Sequence, residues 1–157
     1  MKHRNQNGDL PGPEFFQKEA LTKLIHGDLF SYKNPVIPIK TRGRSYGSIS
    51  IRVQEMGVKI PDIPHLTAAF KDPYIFIALW GDEGEYSPED IFDCAAAGLL
   101  AASLNQIPLV AFPVLGGKSG DKYLWAAEKG LFVERENIEE AMGFSHVSDH
   151  VFVTNKH

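Results

Sequence analysis

The sequence predicts an α/β domain, and three observations carry that prediction. Residues 74–80 and 109–114 are continuous apolar runs of strand length, the pattern of strands covered on both faces. Between them, from Ser87 to about Asn105, Ile91, Phe92, Ala95, Ala96, Leu99 and Leu100 form one stripe at helical spacing. After them come a second helical pattern over 121–142 and a short β-rich stretch at 151–153. The order strand, helix, strand, helix, strand indicates parallel pairings joined by helical crossovers.

Taken in order, residues 1–13 are polar and read as a flexible lead-in, without the apolar core of a signal peptide. Residues 14–157 read as a single domain. Within 14–26, Phe16, Ala20 and Leu24 recur every four, as on a helix face, while 21–25 suits a first strand equally. Residues 35–39 (Pro-Val-Ile-Pro-Ile) are β-rich, and their two prolines suit an edge or a strand start. Residues 48–56 fit two periods. Ile49, Ile51 and Val53 alternate as in a strand, and Ile49, Val53 and Met56 share a helix face. Ser87-Pro88-Glu89-Asp90 is a helix start: a hydroxyl cap, proline in the first turn and acids at the positive end. The pattern over 121–142 carries one helix or two, with Gly130 and Arg135 near the candidate break.

Composition narrows the function. With 157 residues the chain can bury roughly 70% of its unfolded surface in one core. A net charge of −4 argues against a broad nucleic-acid-binding face. No apolar run is long enough to span a membrane. The single cysteine, Cys94, reads as a buried small hydrophobe in a reducing compartment, so a cytoplasmic location is expected. No cofactor and no metal is expected. His146 and His150 lie four apart in a stretch that reads as a loop entering a strand, with no third ligand in sight. His26 reads as a turn residue, Trp80 and Trp125 as core or cleft walls, and the acidic run 134–140 as a solvated helix face.

The most informative segment is Phe112-Pro113-Val114-Leu115-Gly116-Gly117-Lys118-Ser119-Gly120-Asp121, where a buried strand gives way to a glycine-rich loop and then a helix. Ligands of open α/β sheets bind at the carboxyl ends of strands. Glycines let main-chain N–H groups approach an anion, and a helix N-terminus adds positive potential. Phosphate or diphosphate is the natural ligand class. A P-loop is excluded by Phe112, which stands where that motif requires glycine. Gly43-Arg44-Ser45-Tyr46-Gly47 matches the nucleophile elbow of α/β-hydrolases, but too little sheet precedes it.

Together these segments resemble the macro-domain family. Gly27-Asp28-Leu29-Phe30 is similar to the Gly-Asp-hydrophobic element after the family's first strand. Gly47 with residues 48–57 resembles its first ligand loop and helix. Residues 87–120 resemble its helix, core strand and phosphate loop, and Val151-Phe152-Val153-Thr154 its closing strand. The nearer likeness is to the ADP-ribosyl-glutamate and ADP-ribosyl-DNA glycohydrolase branch.

The resemblance implies a three-layer α/β/α domain with a mixed, largely parallel central sheet. It implies binding of ADP-ribose or a related nucleotide, without turnover as the leading reading. The alternatives are an ADP-ribosyl glycohydrolase acting on an ADP-ribosylated protein or nucleic acid, and an interaction module that kept the fold and lost the ligand. By the same resemblance, Asp28 accepts a hydrogen bond from the adenine amino group and Leu29 offers its backbone N–H. Ser45, Gly47 and Ser48 line the first diphosphate loop. Gly116, Gly117, Lys118, Ser119 and Gly120 line the second, and Thr154 and Asn155 flank the adenine. Asp121 is the candidate catalytic acid. The family's attacking lysine after the central strand has no counterpart in Leu79-Trp80-Gly81-Asp82, and its asparagine pair is replaced by Pro38-Ile39-Lys40-Thr41.

Overall fold

The computed structural model describes residues 24–40, 48–63, 67–79, 86–115 and 123–154. Among them are six strands and three α-helices: β1 (Leu24–His26), β2 (Val36–Lys40), α1 (Ser48–Glu55), β3 (Ala68–Lys71), β4 (Tyr74–Leu79), α2 (Pro88–Leu104), β5 (Leu109–Pro113), α3 (Leu124–Met142) and β6 (Asp149–Thr154). A 3-10 turn, Leu29–Ser31, follows β1. Two three-stranded ladders, β1-β6-β5 and β2-β4-β3, meet through one parallel bridge between Pro35 and Ala111. The sheet order is therefore β1-β6-β5-β2-β4-β3. All neighbours are parallel except the edge pair β3–β4.

Layering follows from side-chain alternation along β4. Ile75, Ile77 and Leu79 join Val36 on one face and pack with Ile91, Leu99, Ala126 and Leu131 of α2 and α3. Phe76 and Ala78 point to the other face, with Ile37, Ile39 and Val53 of α1. The expected three layers and largely parallel mixed sheet are both present. The helix-or-strand ambiguity over 48–56 resolves as helix because Val53 must reach that second core. Its exposure is 0%.

The sequence signals at α2 act as expected. Ser87 Oγ accepts from the Asp90 N–H at 3.1 Å, and Asp90 Oδ2 accepts from the Ser87 N–H at 3.2 Å. This reciprocal cap satisfies two donors that the helix itself cannot.

The choice left open over 121–142 resolves as one continuous helix, α3, without a break at Gly130 or Arg135. Gly130 is there for space: a Cβ would run into the main-chain carbonyl of Phe92 on α2. Other sequence expectations need correction: Pro38 lies within β2, which is interior between β5 and β4, whereas Pro35 stands just before the strand start, as expected. His26 closes β1 instead of forming a turn, and His150 lies partly buried in β6. Glu134, in the acidic run, is buried. The antiparallel edge strand β3 had no expectation at all.

Candidate functional site

The sheet order creates one topological switch. From β2 the chain moves by α1 toward β4, and from β5 it moves by α3 in the opposite direction to β6. β2 and β5 are neighbours, so their continuations part at the carboxyl edge. Adjacent strands that diverge in this way leave a crevice between the loops that follow them. The stretches that continue β2 and β5, 41–47 and 114–122, hold the two glycine-rich runs of the sequence; 41–47 and 116–122 lie outside the described residues.

Proline chemistry opens the same seam. The Pro35 carbonyl accepts from the Ile75 N–H of β4 at 3.1 Å, so alternate residues of β2, including Pro38, turn their polar groups toward β5. Pro35 has no N–H, so its bridge to β5 must run through both polar groups of Ala111. Pro113, two residues on, therefore faces β2. Neither Pro38 nor Pro113 can donate across the seam, and the ladder stops short of the carboxyl edge. The Pro38 carbonyl accepts instead from Ser50 Oγ of α1 at 2.7 Å, and Ser50 is fully buried. That bond ties α1 to the strand at the seam. Interior prolines are thus tolerated because β2 keeps its full ladder with β4.

β1 and β6 bring a third segment to this edge. His26 pairs with Thr154, and the Gly27 N–H donates to the Thr154 carbonyl at 2.9 Å. Asp28 follows directly. Its Oδ1 accepts from the Phe30 N–H at 3.1 Å and caps the 3-10 turn. Leu29 opens that turn, where the turn itself supplies no acceptor for its N–H. The Leu29 side chain is core, so only its backbone can serve a ligand. Thr154 is buried beside Gly27.

Arg52 of α1 was not singled out by sequence. It grips Asp28 in a two-pronged fork, Nη1 to Oδ1 at 2.9 Å and Nη2 to Oδ2 at 3.1 Å, and its guanidinium lies 4.3 Å from the Phe30 ring centroid. The Arg52 hydrogen bond, with that from the Phe30 N–H, holds the Asp28 carboxyl below its ordinary range, and the same fork raises Arg52. Both side chains are 51% exposed, so solvent screens the pair, which carries little weight in stability and remains open to a ligand. No sequence pattern marks a contact across 24 residues. Helical spacing does place Arg52 one turn after Ser48, at the start of α1.

The structure thus gathers Asp28, Leu29 and Thr154, with the start of α1 at Ser48, along one edge of the sheet. Ser45, Gly47, Gly116, Gly117, Lys118, Ser119, Gly120, Asp121 and Asn155 lie outside the described residues, as do Trp80 and Tyr46. Trp125 packs against the core on the α2–α3 side. Among the described residues no group of His, Cys, Asp or Glu is arranged to hold a metal ion, and no helix is long and apolar enough to cross a membrane.

No protein-family model matches the chain, and no curated protein does. Solved structures do match. The macrodomain of Mycobacterium tuberculosis DarG is 14% identical, with 86% of this chain and 99% of that one covered and a TM-score of 0.59. The macrodomain of Thermus aquaticus DarG is 11% identical, with 87% and 99% covered and a TM-score of 0.57. A Trypanosoma brucei macrodomain solved in complex with ADP-ribose is 16% identical, with 86% of this chain and 64% of that one covered and a TM-score of 0.59. At these identities the likeness is one of architecture: the chain has the macrodomain fold.

Proposed function

We propose that this protein binds ADP-ribose, or a related nucleotide diphosphate, along the carboxyl edge of its sheet. The observation that carries the reading is the divergence of β2 and β5, the two strands that glycine-rich stretches of the sequence follow. A diphosphate brings about two negative charges to a chain of net charge −4, so attraction has to be local. Both α1 and α3 begin at this edge, and their N-termini supply positive potential there. Gly116 to Gly120, with Lys118, add main-chain donors and a cation. Ser45, Gly47 and Ser48 serve the first phosphate loop. Asp28 takes the base, and Thr154 and Asn155 border it. The macrodomain fold supports the same ligand class, since a T. brucei protein of this fold was solved with ADP-ribose bound.

Calorimetric titration of the whole chain with ADP-ribose tests the reading. Saturable heat with one site is expected. Absence of both heat and thermal stabilisation at millimolar ligand contradicts it.

A further inference from the structure

We infer that Arg52 is a specificity-determining residue that reads the nucleobase together with Asp28. The inference rests on the nucleotide reading above and adds to it the choice of base. A carboxylate has four lone-pair positions. Three are engaged: Oδ1 by the Phe30 N–H and by Arg52 Nη1, and Oδ2 by Arg52 Nη2. One acceptor position remains on Oδ2. A guanidinium has five N–H groups, and the fork uses two of them. The pair therefore presents a carboxylate acceptor beside guanidinium donors, at a position where both side chains are half exposed.

That edge complements a 6-amino purine, whose amino group donates while the adjacent ring nitrogen accepts. A 6-oxo purine presents the reverse order. Its oxygen meets the carboxylate, and its ring N–H meets the guanidinium. The contact with Phe30 at 4.3 Å, and the Phe30–Tyr74 ring pair behind it at 6.3 Å, hold the guanidinium in place before a ligand arrives. Lysine would keep the charge but not the planar fork.

The test compares ADP-ribose, its hypoxanthine analogue and ribose 5-phosphate on wild type, Arg52→Ala and Arg52→Lys, with thermal melting as the check on folding. Wild type is expected to prefer ADP-ribose over the hypoxanthine analogue. Arg52→Ala is expected to weaken ADP-ribose binding about tenfold, the worth of one charge-assisted hydrogen bond, and to narrow the preference by the same factor. Ribose 5-phosphate binding should not change, and Arg52→Lys should not restore the preference. Tighter ADP-ribose binding by Arg52→Ala would overturn the inference, because Arg52 would then be an obstacle. So would an unchanged preference, or an equal loss for ribose 5-phosphate. Failure of wild type to bind ADP-ribose defeats the nucleotide reading itself. A wild type that binds, with an unchanged preference in Arg52→Ala, defeats only the role of Arg52.

Discussion

Pro38 of β2 and Pro113 of β5 face one another across a seam that neither can bridge with an N–H. The missing bonds lie on the carboxyl half of the two strands. A sheet centre is opened there by residue type, without loss of the β2–β4 ladder on the other side.

Pro38→Val restores one donor aimed at β5. Its net effect on stability is expected within about 1 kcal/mol, because a gained hydrogen bond is offset by the lost rigidity of proline in the unfolded chain. Hydrogen exchange is the sharper readout. The amide that the substitution creates is expected to be protected to the level of the β2–β4 amides. An amide exchanging as fast as a loop would show that the seam stays apart for another reason.

Gly130→Ala separates close packing from helix propensity. Propensity alone favours alanine by about 1 kcal/mol. A methyl group at Gly130, however, meets the Phe92 carbonyl, which belongs to α2 backbone and cannot rotate away. Overpacking is expected to win, with a net loss of about 1–3 kcal/mol in denaturant unfolding. A stabilised variant would mean that α2 and α3 are not held this close.

His150 makes stability depend on acid. Burial is the main cause that lowers its pKa to about 4, and the Arg135 charge adds to it. Below its ordinary value near 6.5 the unfolded chain takes up a proton that the folded chain refuses until about pH 4. The contribution is therefore complete above pH 6.5 and falls away between pH 6.5 and 4, by up to about 3 kcal/mol. Asp28 behaves as a depressed acid: its contribution is present above its ordinary value near 3.8 and is lost only at lower pH. His150→Gln should flatten the stability curve between pH 6.5 and 4. An unchanged slope would remove His150 as its source.

Cys94 is expected to be chemically silent in the native state. It is fully buried, Sγ donates to the Ala78 carbonyl at 3.0 Å, and burial pushes its thiol well up. A thiol reagent at neutral pH should modify it only as fast as the protein opens, with rates rising in denaturant. Rapid labelling in buffer would show that α2 does not stay seated on β4.

What the sequence revealed, and what it hid, divides along one physical line. Runs such as 74–79 and the cap at Ser87 are decided by local composition, and both were legible. Asp28 and Thr154 were singled out from the order of motifs, and the structure places both at one edge of the sheet. The interior position of β2 was not legible. Proline in a sheet centre is tolerated only when the neighbour on one side loses the same bonds, and Pro113 lies 75 residues away in sequence. Arg52 was hidden for the same reason: its partner Asp28 is 24 residues back and on another element. The ambiguity at 48–56 was decided by tertiary burial of Val53 and Ser50, which a local period cannot express.

The central claim is that a nucleotide lies across the carboxyl edge, where β2 and β5 part. Amide chemical-shift mapping during titration with ADP-ribose tests it most directly. Saturable shifts are expected at Gly27 to Phe30, near Ser48 and over 114–122, with little change at the opposite edge around Leu104 and Met142. Shifts confined to that opposite edge, or none anywhere at saturating ligand, would contradict it.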